Sequence, residues 1–73
     1  MIASFPEVAF LRIEPLGEGW LLMCGDNELV QVFRSGAEAE RYARRYAASL
    51  ARCGYAPRLV ILDRSGAATK AVL

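Results

Sequence analysis

Apolar residues recur along this chain with two different periods. Over 35–54 the period is helical. At about 100° per residue, Ala39, Ala43, Tyr46, Leu50 and Cys53 fall on one side, flanked by Tyr42 and Ala47. Arg41, Arg44, Arg45 and Arg52 fall on the other side. The small alanines let such a helix approach a sheet closely, and Tyr46 and Leu50 supply the bulk. The end signals agree with the period. Ser35 stands three residues before Glu38, the spacing of a capping box. Glu38 and Glu40 put negative charge in the first turn and Arg52 puts positive charge in the last. Gly54 suits a left-handed terminator, and Pro57 blocks continuation. The pattern predicts a helix over about 36–53.

Elsewhere the period is close to two and is broken by turn residues. Residues 7–14 read as a strand, with Ala9, Leu11 and Ile13 on one side and Val8, Phe10, Arg12 and Glu14 on the other. Residues 15–19 read as a turn carrying Pro15, Gly17 and Gly19. Glu18 inside that Gly-x-Gly would repel phosphate, so a turn is expected there and not a phosphate loop. Residues 20–24 are apolar on both faces, with Trp20, Leu22 and Cys24 on one and Leu21 and Met23 on the other. Gly25, Asp26 and Asn27 form a turn cluster. Residues 29–33 form a third strand, with Val30 and Val32 opposite Leu29 and Phe33, close enough for an antiparallel hairpin. After the helix, residues 58–62 have no polar face, 63–66 read as a turn, and 67–73 return as a short edge strand.

The expected fold is therefore α+β, in the order β-β-β-α-β-β. A three-stranded antiparallel meander precedes one helix packed on one sheet face, and a C-terminal strand or hairpin follows. The 73 residues make a single domain. Residues 1–6 are expected to be a poorly ordered lead-in.

One helix covers one face of a small sheet, yet two strands are apolar on both faces. Monomers rarely expose large apolar patches. The first remedy is a two-fold homodimer that buries the uncovered face. The second is a protein or peptide partner, and the third is a twisted sheet whose loops cover the remainder. The candidate self-association face is Trp20, Leu22 and Cys24.

Size strengthens the case for association. A chain this short buries only about 60% of its unfolded surface and often needs outside support. Cys24 and Cys53 form no CxxC pattern, and the chain has no His to complete a zinc site. Two buried reduced thiols are expected, with a Cys24–Cys53 bridge left open. No signal peptide is read at the start, and no apolar run approaches the roughly 20 residues of a bilayer span. A soluble cytoplasmic protein with no membrane partner is expected.

Net charge is +1 but unevenly spread. Residues 1–40 carry Arg12 and Arg34 against seven acids, and residues 41–73 carry seven bases against Asp63. An anionic partner would suit the basic half, although folding can interleave the halves and cancel the field. The helix arginines have the same two readings. They make a phosphate-binding face, or a solvated face in which Glu40 pairs with Arg44 and Glu38 with Arg41; the second is the more ordinary.

Two families share parts of this pattern. Phe33-x-Ser35-x-x-Glu38-Ala39 followed by Ala43-Arg44 resembles the strand-to-helix entry of the bacterial domain-of-unknown-function family DUF2188. Trp20 at the start of a strand and the hairpin from Val60 through Asp63 to Gly66 are similar to that family as well. The resemblance runs from Trp20 to Gly66. It implies the fold and no catalytic residue. Val30-Gln31-Val32-Phe33, the Ala39-Glu40-Arg41 helix and the run from Gly54 to Val60 resemble one half of a SPOR domain, a peptidoglycan-binding module. The second half of that module has no counterpart here.

Catalysis finds little support. The commonest general base is missing, since there is no His. Ser35 is committed to the cap, and Ser49 and Ser65 have no base nearby in sequence. Cys53 ends a helix, where the dipole disfavours a thiolate, and Cys24 stands near Asp26. No catalytic residue, cofactor or metal is expected. The expected function is a non-enzymatic interaction module that self-associates through its sheet. The alternative is nucleic-acid binding through Arg41, Arg44, Arg45 and Arg52, which the small net charge disfavours.

Overall fold

Alternating residues build five strands and the helical stretch builds one helix. The computed structural model describes residues 6–73, so the lead-in expected over 1–6 lies, apart from Pro6, outside the described residues. The elements are β1 (Val8–Leu16), β2 (Gly19–Cys24), β3 (Glu28–Phe33), α1 (Gly36–Arg52), β4 (Ala56–Leu62) and β5 (Ala68–Ala71). This is the expected order and the expected α+β class.

The first hairpin is tighter than the sequence suggests. Pro15 and Leu16 belong to β1, and only Gly17 and Glu18 turn the chain. Gly17 has φ 58°, which suits the first position of a two-residue hairpin turn. The closing pair Leu16 and Gly19 exchanges hydrogen bonds in such a hairpin, so the next pair, Pro15 and Trp20, does not. The missing N–H of Pro15 thus points away from β2. On that side β4 pairs only as far as Ile13, so no ladder bond is lost.

The sheet order is β3-β2-β1-β4-β5. β4 runs parallel to β1, and the other pairs are antiparallel, so the sheet is mixed and not purely antiparallel. The meander leaves the outer edge of β1 free. A chain that leaves β3 and returns to that edge must cross two strands, and a parallel pair needs such a crossover. α1 is the crossover, and it touches β1, β2, β3 and β4.

The ends of α1 follow the local chemistry. The Glu38 N–H donates to Ser35 Oγ at 3.1 Å. At the other end Gly54 takes φ 95°, the Gly54 N–H donates to the Ala51 carbonyl and the Tyr55 N–H to the Leu50 carbonyl. Those two bonds are the Schellman pattern.

The core lies between α1 and one sheet face. Leu11 and Ile13 of β1, Leu22 of β2 and Leu59 of β4 are buried beneath Ala39, Ala43 and Ala47. This overturns one expectation. Trp20, Leu22 and Cys24 form the helix-covered face, and Leu22 is 0% exposed, so Leu22 is core and not an association surface. The alternation along β2 sorts its residues into two sets but does not say which set the crossover will cover. The opposite set, Leu21 and Met23, faces away from α1.

β3 also departs from the simple alternation. Gln31 pairs with Leu22 and Leu29 with Met23, so Val30 is an extra, bulged residue. The bulge turns Leu29 and Val32 to the open face and leaves Val30 and Phe33 packed toward the core.

Candidate interaction surfaces

The uncovered sheet face has a defined composition. Register carries one row across the sheet from Leu29 through Met23, Arg12 and Val60 to Lys70. A second row joins Val32, Leu21 and Glu14. Phe10 is 61% exposed, Val32 55% and Leu29 53%, while Leu21, Met23, Val60 and Leu62 are half-buried by their neighbours. Near the centre, Arg12 Nε meets Glu14 Oε2 at 3.0 Å, both side chains partly exposed. The face thus carries apolar residues around one central ion pair, with two further cations, Arg58 and Lys70, on its β4–β5 side.

The four helix arginines do not act as one group. Arg44 is engaged with the chain itself: its Nη2 lies 3.0 Å from Glu40 Oε2, and its Nη1 donates to the Val72 carbonyl at 2.6 Å. This is the i+4 pair expected from the sequence. The expected Glu38–Arg41 pair is not among the ion pairs of the described residues. Arg52 Nη2 donates to Ser49 Oγ at 3.1 Å near the helix end.

Arg41 and Arg45 line a groove beside β3, together with a third arginine that the helical period does not mark. Arg34 follows β3 directly and joins them around a groove of about 420 Å3, which Phe33, Glu38 and Tyr42 also line. None of these three arginines is ion-paired among the described residues. Arg34 stands in the acidic half of the sequence, so the charge tally by halves concealed it. Only the strand-to-helix turn sets it beside the helix.

An aromatic row underlies this groove. The Phe33 and Tyr42 rings lie 5.3 Å apart at 55°, and Tyr42 and Tyr46 lie 6.3 Å apart, nearly parallel. Such offset and tilted pairs suit the ring quadrupoles. Burial pushes the Tyr46 phenol above its ordinary pKa, with smaller contributions from Cys24, Glu28 and Tyr42 nearby.

Cys24 is half-buried and Cys53 is exposed, and both are free thiols. The expectation of two buried thiols therefore fails at Cys53, which caps the helix at the surface. Among the described residues no helix is long and apolar enough to cross a membrane.

Comparison with family models, with curated proteins and with solved structures found no match to this chain. The likenesses to DUF2188 and to half a SPOR domain rest on the residues quoted for them.

Proposed function

We propose that this chain is a small non-enzymatic interaction module, cytoplasmic in setting, that self-associates as a homodimer through the open face of its sheet. The observation that carries this reading is the apolar field of exposed Phe10, Leu29 and Val32 with half-buried Leu21, Met23 and Val60, on the face that α1 leaves uncovered. Water contact over such a field is unfavourable, and a second copy removes it.

Two features favour a second copy as the occupant. The first is charge self-complementarity. A two-fold axis across β1 at the level of Ile13 sets Arg12 of one copy against Glu14 of the other, so the central ion pair becomes a four-charge cluster. The second is area. Five strands about 4.8 Å apart, each about six residues at 3.3 Å, span roughly 24 by 20 Å. Two such faces bury on the order of 1,000 Å2, the lower bound for a specific interface.

Nucleic-acid binding through Arg41, Arg44, Arg45 and Arg52 is the second reading. Its support is reduced because Arg44 and Arg52 are held by Glu40, Val72 and Ser49.

The test is solution mass by light scattering, at low and at high salt. A dimer is expected in both, because apolar burial is not screened. The paired substitution Phe10→Glu with Val60→Glu is expected to give a folded monomer. Phe10 lies across from Arg58, and Val60 across from Arg12 and Lys70, so both new carboxylates find cations within their own sheet. A native chain that is monomeric throughout overturns the proposal.

A further inference from the structure

The two edges of the sheet are unequal. β5 has only four residues, Ala68–Ala71, and places exposed Lys70 on the edge, two devices that blunt strand addition. β3 is the other edge, with six residues, Glu28–Phe33. On the side away from β2, its N–H and C=O groups face no strand among the described residues. The groove of about 420 Å3 runs along this edge, between β3 and the overhanging side chains of α1. A slot between a free strand edge and a helix is a setting in which an extended peptide adds to a sheet.

We propose that this slot receives an extended peptide that pairs with β3 as a sixth strand and alternates acidic with aliphatic residues. The alternation follows from the pleat. On the helix side, side chains of an added strand stand next to Gln31, within the overhang of Arg34, Arg41 and Arg45. Those three guanidinium groups have no ion-pair partner among the described residues, so carboxylates suit that side. On the other side, the added side chains stand next to Val32, which is more than half exposed, and aliphatic residues suit it. The bulge at Val30 increases the local twist, which selects against indiscriminate edge pairing.

A single-stranded nucleic acid is the competing occupant, since arginines beside aromatic rings also suit stacked bases. Two observations favour the peptide. The edge of β3 offers backbone groups that a nucleic acid does not match. Tyr42 packs against both Phe33 and Tyr46, so its ring is engaged by neighbours and not presented freely.

The experiment is fluorescence anisotropy with the whole chain and a labelled peptide of alternating Glu and Val, about eight residues long, within the ordinary range of strand lengths. Saturable binding is expected. The paired substitution Arg34→Glu with Arg45→Glu is expected to weaken it about tenfold or more, with the circular dichroism unchanged. The same peptide N-methylated at alternate amides is expected to lose a similar factor, because it cannot complete the ladder. Three results would overturn the proposal: no binding of the parent peptide, equal binding of the N-methylated peptide, or tighter binding of an oligothymidylate of equal charge. The last result would assign the groove to single-stranded nucleic acid. Val32 borders both surfaces, but Arg34 and Arg45 are not part of the dimer's apolar field, so the paired Arg34→Glu and Arg45→Glu protein is expected to keep the native mass, and failure here and failure of the dimer are separable.

Discussion

The guanidinium of Arg64 lies 4.9 Å over the centre of the Trp20 ring. Arg64 belongs to the turn between β4 and β5, and Trp20 to the start of β2, so this contact ties two hairpins that are remote in sequence. The same guanidinium donates to the carbonyls of Gly17 and Gly19. One arginine thus satisfies the turn of the first hairpin and covers its indole. Parallel pairing of β1 with β4 is what brings the two turns to one end of the sheet.

Arg64→Ala is expected to destabilise the chain by about 1 kcal/mol, the upper range for an exposed cation–π contact. Arg64→Lys should recover only part, because an ammonium cannot span both carbonyls and the ring at once. Urea denaturation of the three proteins checks the order. Equal stability of all three would remove Arg64 from the account of how the hairpins are joined.

Two glycines near Trp20 are set apart by what surrounds them. A Cβ on Gly19 would lie 2.9 Å from the Phe33 carbonyl oxygen, a backbone atom that cannot move without parting β2 from β3. A Cβ on Gly36 would lie 3.3 Å from the Trp20 ring, which can yield by a few tenths of an ångström. Gly19→Ala is therefore expected to cost about 1–3 kcal/mol as overpacking. Gly36→Ala should cost less, since alanine also favours the helix. Thermal melts of the pair should differ in that direction.

How much of this was legible in sequence divides by range. Ser35, Gly54, Ala39 and Ala43 are local signals, and each stands where its spacing predicts, whereas Ala47, expected on the flank, is buried and Cys53, expected in the stripe, is exposed. The strands and their order were legible for the same reason. The choice of sheet face was not, because it depends on where the crossover lands and both faces of β2 are apolar. Leu22 therefore read as well for a surface as for the core. The parallel joining of β4 to β1 likewise depends on an edge that no local pattern marks. Among the helix arginines, spacing points to Glu40–Arg44, which forms, and to Glu38–Arg41, which is not among the ion pairs of the described residues. The Arg44 bond to Val72 and the approach of Arg34 to Arg41 and Arg45 arise from the fold itself.

The contrast between the two faces of β2 is itself testable. Leu22→Ala is expected to cost about 2–5 kcal/mol through a cavity beneath the helix. That is a large share of the roughly 5–10 kcal/mol expected for a domain of this size. Charging Leu22 should abolish folding and so says nothing about association. Circular dichroism at the temperature of the mass measurement separates unfolding from dissociation.

Close approach of α1 to the sheet rests on alanine. Ala39 and Ala43 are fully buried and Ala47 nearly so. Ala43→Leu adds three carbons at a position that is 0% exposed between helix and sheet. A loss of about 1–3 kcal/mol is expected, with the helix pushed from the sheet. Chemical shifts of the Tyr42 and Tyr46 rings should move with it, since both stand on the same helix. Unchanged ring shifts and an unchanged melting point would mean that the helix–sheet contact is looser than its burial implies.

Acid should weaken the β4–β5 hairpin in particular. Asp63 Oδ1 accepts from the Ser65 hydroxyl at 2.6 Å, the Ser65 N–H at 2.8 Å and the Ala67 N–H at 3.1 Å. These bonds, led by the Ser65 hydroxyl, hold the carboxyl below its ordinary pKa. The charged form is the one the turn stabilises, so the folded pKa is the lower of the two. The resulting stability is present above the unfolded value of about 3.9 and is lost as pH falls through the lower folded value. Asp63→Ala is thus expected to lower the urea midpoint at about pH 5, and the gap to the native chain should narrow on acidification. A gap that stays constant down to the acid limit would mean that the turn is held by its backbone bonds and not by the Asp63 charge.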